Sequence, residues 1–260
     1  MSPPFPNLAI TGASRGLGAA LALRAAAPGA RMLLLARSEA ALAAVCAACR
    51  ARGAEAQAAA LDVRDAPALA HALLDFDARH PLDLLVANAG VTGGTPEGGG
   101  LEGWESASRV LSVNLLGAVA AVEPVLPRMV ARGRGRIGLV ASVAALRGLP
   151  DSPAYCASKA GLRAYGESLR ARLGPEGVGV TVLQPGFFES DMSARFDAPQ
   201  MGRLGLDRAA DLAWRALVRG RGRATFPWAL GAALQALDLL PAPLADWAVR
   251  RYRFTIRPGE

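Results

Sequence analysis

The chain has 260 residues, 52% hydrophobic and 20% charged, a balance that supplies a large apolar core and argues against disorder. Its formal charge of +7 comes from scattered arginines, and the one dense run, Arg132, Arg134 and Arg136, sits among glycines at a helix end, which argues against a nucleic-acid surface. Cys46, Cys49 and Cys156 are odd in number with no second pair, so neither a metal site nor a redox dithiol is expected.

Short apolar runs bounded by Gly, Pro or Asp alternate with longer stretches of helical period. They predict strands over 7–11, 31–36, 54–61, 82–88, 135–142 and 177–184, with a weaker one near 223–226. Helices are predicted over 17–27, 38–52, 66–79, 104–131, 153–173 and 207–220. The alternation predicts an α/β fold in one domain spanning 1–260, a Rossmann-type doubly wound three-layer sandwich with a mainly parallel seven-stranded sheet. Three segments break the pattern. The glycine-rich loop 91–100 and the stretch 187–206, with Phe187, Phe188, Met192, Phe196 and Met201, both follow strand ends, where ligands bind in such sheets, and the second reads as a lid. The extension 228–260 has apolar residues at helical spacing and a basic finish at Arg250, Arg251, Arg253 and Arg257. Asp238, Pro241, Pro243 and Asp246 interrupt it, so no membrane span is expected there or elsewhere. With no secretory segment after Met1, the expected compartment is the cytoplasm.

The turn Thr11-Gly12-Ala13-Ser14-Arg15-Gly16-Leu17-Gly18 follows a predicted strand and opens a predicted helix. Glycines there allow a tight turn, and the helix start offers N–H groups to a pyrophosphate. Further along stand Asn88-Ala89-Gly90 after the fourth strand, Asn114 in the next helix, and Ser142 after the fifth strand. Tyr155-Cys156-Ala157-Ser158-Lys159 and Pro185-Gly186 complete the set. In order and position these residues resemble the short-chain dehydrogenase/reductase (SDR) family over about the first 225 residues.

Two observations stand beside the resemblance. Lys159 is the only lysine among 29 basic residues, so the position asks for what an ammonium does and a guanidinium does not. It lies four residues after Tyr155 on a predicted helix, on one face with it, where its charge would favour the phenolate. Second, Ala36-Arg37 ends the second strand where a carboxylate would bind a ribose diol; Glu39 comes too late. Arg37 and Arg15 suit a 2′-phosphate, so NADP(H) is the expected cofactor.

The resemblance implies the remaining roles. Tyr155 is the acid/base, Lys159 its partner on the nicotinamide ribose, Asn114 the support of a water behind the lysine, and Ser142 the residue that positions the substrate carbonyl. Asp62 and Val63 would meet the adenine, Asp62 accepting from its amine. Phe188 and Ser190 would meet the carboxamide, Ser190 standing where the family usually carries Thr. The substrate pocket is expected at Ser142, Ala144, Tyr155, Phe187 and Met192, and the uncharged neighbours Val143 and Leu146 suit a hydrophobic ketone or secondary alcohol. Family members commonly pair through the long helices, here 104–131 and 153–173, so a homodimer or homotetramer is expected. Two rival readings are a non-catalytic NADP(H)-sensing protein and a membrane-recruited interaction protein. For the extension, packing on its own domain or on a partner subunit is expected ahead of peripheral membrane contact.

Overall fold

In the computed structural model, which describes residues 3–93, 100–197, 199–251 and 254–256, the apolar runs form β1 (Asn7–Thr11), β2 (Arg31–Ala36), β3 (Glu55–Ala60), β4 (Leu84–Ala87), β5 (Gly135–Val140) and β6 (Val178–Pro185). Between them run α1 (Gly16–Ala25), α2 (Glu39–Arg50), α3 (Ala66–Arg79), α4 (Trp104–Leu111), α5 (Gly117–Val122), α6 (Leu126–Ala131) and α7 (Pro153–Leu173). After β6 come α8 (Asp191–Ala194), β7 (Phe196–Asp197), α9 (Leu206–Val218), β8 (Arg223–Phe226), α10 (Trp228–Leu237), α11 (Ala242–Arg250) and β9 (Thr255–Ile256). Seven strands form one sheet in the order β3-β2-β1-β4-β5-β6-β8, every pair parallel. The order reverses beside β1, and the carboxyl ends of β1, β2, β4, β5 and β6 open onto one crevice.

Alternation along each strand divides the core between two helical layers. Leu8, Ile10, Met32, Leu34, Leu84 and Val86 pack with α1, α2 and α9, whereas Ala9, Leu33, Leu35, Leu85, Ile137 and Leu139 pack with α3, α5, α6 and α7. Cys46 and Cys49 are buried in the first of these layers as small apolar side chains.

The predicted helix 104–131 is interrupted twice. A π-helical turn, Ser112–Leu116, separates α4 from α5, and a turn at 123–125 separates α5 from α6. Pro124 and Pro127 account for the second break, since proline lacks the N–H and its ring crowds the carbonyl four residues back. By length and hydropathy Trp104–Ala131 could cross a bilayer, contrary to the sequence expectation of no such run. Its apolar residues Val110, Ala118, Ala121, Val122, Leu126 and Met129 are instead buried in the protein. β5 stops at Val140, short of the predicted 142, which leaves Ser142 in the crevice as the N-cap of a 3₁₀ turn. The stretch 187–206 also contains an unpredicted strand, β7, paired antiparallel with β9 near the C-terminus.

Candidate active site

Gly12 and Gly16 adopt φ of +65° and +54°, left-handed values that glycine alone takes without strain. A Cβ on Gly12 would lie 2.7 Å from Ala89 Cα, and one on Gly18 would press into Asn88 Nδ2 and the Gly12 carbonyl. The turn is keyed to the end of β4: Asn88 Nδ2 donates to the carbonyls of Thr11 (3.0 Å) and Gly12 (3.1 Å), while Thr11 Oγ1 accepts from the amides of Asn88 and Ala89. Gly16 faces open space, with nothing within 4 Å of where its Cβ would stand. Beside it α1 begins at Arg15 with no side-chain cap and no acid in its first turn, so its amides remain available to an anion. Leu17 is buried and offers only backbone there, whereas Ser14 is partly exposed. These features fit a pyrophosphate.

Two glycine substitutions separate shape from binding. Gly12→Ala meets both strain and collision and is expected to cost about 1–3 kcal/mol of stability. Gly16→Ala, with free space around it, should lose about 1–2 kcal/mol through φ alone while obstructing the anion cradle. Thermal melts with and without NADPH measure both effects.

At the ribose end Arg37 is exposed immediately after β2. Asp62 is clasped by Arg64, whose Nε and Nη2 reach its carboxylate at 3.1 and 2.7 Å and whose amide adds a third bond at 2.9 Å. Those bonds, and the nearby Arg37 charge, hold the Asp62 carboxyl below its ordinary range despite partial desolvation. Any acceptor role of Asp62 toward an adenine is therefore shared with Arg64. Val63 is buried against Gly117, where a Cβ would come within 2.7 Å of Val63 Cγ2.

The four residues expected to carry the chemistry converge. Asn114 lies in the π turn, fully buried, a widened turn of a kind frequent at functional sites. Its Oδ1 accepts from the Val91 amide at 2.7 Å, and its Nδ2 donates to the Val91 carbonyl (2.9 Å) and to Ser158 Oγ (3.1 Å). Ser158 in turn donates to the Tyr155 carbonyl, so Asn114 is joined to α7. Gly90 stands between Asn114 and Lys159: a Cβ there would lie 3.4 Å from Asn114 Oδ1 and 3.5 Å from Lys159 Nζ. Lys159 is buried, donates to the Val140 carbonyl at 2.8 Å, and places Nζ 5.7 Å from the centre of the Tyr155 ring.

Ser142 Oγ donates to the Pro185 carbonyl at 3.4 Å and accepts from the Ala144 amide at 3.1 Å, tying the ends of β5 and β6 together. Tyr155 is partly exposed, yet desolvation pushes its phenol up to about 12, with a hydrogen bond to Ser142 opposing the rise. Burial depresses the Lys159 ammonium to about 8. At neutral pH the arrangement is a phenol that holds its proton beside an ammonium close to its titration point.

The sequence pattern of the short chain dehydrogenase family matches residues 7–200. This chain belongs to that family. It is 40% identical over 245 residues to an uncharacterized oxidoreductase of Myxococcus xanthus, covering 94% of this chain and 96% of that one. It is 35% identical over 192 residues to a 3-oxoacyl-[acyl-carrier-protein] reductase of Synechocystis sp., covering 73% and 76% respectively. Among solved structures, an actinorhodin polyketide ketoreductase variant crystallised with NADPH superposes with a TM-score of 0.76 at 27% identity, over 86% of this chain and 97% of that one.

The rest of the crevice is built after β6. Ser190 caps α8: its Oγ accepts from the Ser193 amide while Ser193 Oγ accepts from the Ser190 amide, both at 3.1 Å. The backbone of Phe187 and Glu189 pairs with Leu204, and Phe188 packs into the core beside it. Phe187 meets Phe196 edge-on at 5.4 Å, and Phe196 meets Phe254 at 5.3 Å, so the C-terminal segment completes an aromatic row with the stretch 187–206. The Phe254 amide also donates to Asp151, in the loop that leads into α7. Met192 is partly exposed on α8, and Ala144 is buried in the 3₁₀ turn. A cavity of about 430 Å³ is lined by Ala144, Leu146, Leu149 and Cys156, beside Ser142 and Tyr155 rather than over them.

Sequence reasoning did not find Glu102, whose Oε2 accepts from the Ala154 amide at 2.9 Å and so caps α7 from outside, nor Arg64, Asp151 and Phe254. Glu102, Asp151 and Phe254 act across long separations and leave no periodic trace; Arg64, two residues from Asp62, was the only one with a local signal. The part of the glycine loop at 94–99 lies outside the described residues.

Proposed function

We propose that the protein is an NADP(H)-dependent oxidoreductase that interconverts a carbonyl and a secondary alcohol on a hydrophobic small molecule, with Tyr155 as acid/base. The observation that carries the reading is the convergence of a protonated phenol, the ammonium of the chain's only lysine and the Ser142 hydroxyl on one crevice beside an open glycine turn. Bound there, the cofactor would supply the hydride. The glycine turn with Ser14, Leu17 and Gly18 would hold the pyrophosphate; Arg37 and Arg15, the latter drawn from its 3.4 Å pair with Asp191, the 2′-phosphate; Asp62 and Val63 the adenine; and Asn88, Ala89 and Gly90 the adjoining ribose. Lys159, Pro185, Gly186, Phe188 and Ser190 would hold the nicotinamide end. Tyr155 gives its proton to the carbonyl oxygen in reduction and takes it back in oxidation, Ser142 orients that oxygen, and Lys159 stabilises the phenolate left behind.

The test is consumption of NADPH across a panel of ketones, with reduced nicotinamide absorbance as the readout. The proposal fails if no carbonyl compound is reduced, or if NADH is used in preference. For the cofactor choice the decisive residue is Arg37, which is exposed and free to meet a 2′-phosphate. Arg37→Ala is expected to weaken NADPH binding about tenfold, the loss of one charge-assisted contact, and to leave NADH binding unchanged. Fluorescence titration with each nucleotide measures this. A cytoplasmic homodimer or homotetramer built on α4–α6 and α7 completes the proposal, with Phe187, Phe196 and Phe254 as the apolar wall of the substrate pocket.

A further inference from the structure

The extension packs on its own sheet less than the sequence suggests. Within α10, WALGAALQAL, there is no charged residue, and only Gly231 is buried, against Thr225 and Leu146. Within α11 a narrow stripe, Ala245 and Val249, faces inward. Outside it Trp228, Leu239, Leu244 and Trp247 are between 56% and 86% exposed, with Leu240 adding 44%. Two successive helices thus present large apolar side chains to solvent, far more than a scattering of single surface residues.

The charges beside this patch are sorted. Both acids of the hairpin, Asp238 and Asp246, are turned onto Arg147 of the 3₁₀-turn loop, at 3.4 and 2.7 Å. Arg250 and Arg251 are exposed and, among the described residues, meet no carboxylate. Arg251 instead lies over the Trp247 ring, 4.1 Å from its centre. The sequence adds Arg253 and Arg257 immediately beyond. Apolar side chains flanked by tryptophan and unpaired arginine are what an interfacial helix presents to a bilayer with negative headgroups. A second copy is the poorer match. A two-fold contact would set this patch against itself, bringing arginine toward arginine while both acids are already engaged by Arg147.

We infer that the α10–α11 hairpin docks on the surface of a membrane that contains anionic lipid. Trp228, Leu239, Leu240, Leu244 and Trp247 enter the headgroup boundary, and Arg250 and Arg251 pair with lipid phosphates. α11 also flanks the catalytic helix, since Val249 and Arg250 line a cavity of about 320 Å³ with Leu149 and Pro153. Docking therefore holds that end of the molecule at the lipid surface, whatever reaction the crevice performs.

The experiment uses the full chain and vesicles of phosphatidylcholine, with and without phosphatidylglycerol, at low salt. The protein is expected to sediment with the mixed vesicles, and added salt should release it. Arg250→Gln or Arg251→Gln should weaken that binding about fivefold each. Leu239→Glu combined with Trp247→Glu should abolish it, with circular dichroism reporting whether the variant stays folded. Should it not fold, quenching of wild-type tryptophan emission by lipid brominated along its chains decides, because in a protein that merely adheres by charge the exposed tryptophans stay outside the acyl chains and are not quenched. Absence of sedimentation with either vesicle overturns the inference. So does a wild-type oligomer that ignores vesicles and falls apart on the double substitution, which makes the hairpin a contact between subunits.

Discussion

Tyr155→Phe is expected to lower turnover about 10²–10⁴-fold, the range for loss of a positioned acid/base, while nucleotide binding and stability change little. The substitution keeps the ring and its packing and removes one hydroxyl. Ser142, the partner of that hydroxyl, is not orphaned, because its Oγ still donates to the Pro185 carbonyl and accepts from the Ala144 amide. A polar group left unsatisfied would cost about 1–3 kcal/mol; here that cost is avoided, so the melting temperature should move by little. The phenol, pushed up to about 12, keeps its proton at neutral pH, and proton donation in reduction is the step the variant loses. The measurement is the ratio of turnover to nucleotide affinity on any ketone the native protein reduces. An unchanged rate removes Tyr155 from the chemistry. A rate lost together with nucleotide binding makes the hydroxyl a structural group instead.

Much of this site was legible because its signals are local. The glycines of the first turn are required by positive φ at Gly12 and Gly16 and by the close approach of Ala89, and each leaves its mark at a single position. Tyr155 and Lys159 share a face because a helix turns every 3.6 residues, and the sheet was visible in the alternation of 2 and 3.6 periods. What was not legible has a different physical character. The second break in 104–131 follows from two prolines within a run whose hydropathy alone reads as continuous. The two-residue strands β7 and β9 are too short to have a period, and they meet only because the C-terminal segment crosses to the stretch 187–206. Glu102 reaches Ala154, and Asp151 the Phe254 amide, between loops whose spacing in sequence says nothing of their spacing in space. Charge pairing is missed in the same way: Asp62 reads in the sequence as an acceptor standing alone, whereas in the fold Arg64 shares its carboxylate. The arginine-rich composition that singled out Lys159 also hid which arginines face the crevice.

Lys159→Met is expected to cost activity without costing stability. In the fold burial depresses the ammonium to about 8 from its ordinary 10.5, so folding works against the charged form. Below about pH 8 both the folded and unfolded chains carry the proton, and the fold bears the whole penalty. Between about 8 and 10.5 the unfolded chain still binds the proton while the fold has released it, so the contribution of Lys159 to stability rises with pH across that window. Methionine has a similar length and no charge. It removes the penalty at neutral pH, against which stands the lost bond to the Val140 carbonyl, about 1–3 kcal/mol if water does not replace it. The melting temperature at pH 7 should therefore hold or rise, and the rise in stability between pH 8 and 10 should flatten. Turnover should fall about 10²–10³-fold, as for removal of one preorganised electrostatic contact. In the native protein the rate of ketone reduction should decline as pH climbs through about 8, where Lys159 loses its charge, and Lys159→Arg, which keeps a charge at every accessible pH, should abolish that decline if it retains measurable activity. Melting curves and rate profiles over pH 6 to 10 report both halves. A lysine retained for packing would give the opposite pattern, a lower melting temperature with the rate profile unchanged.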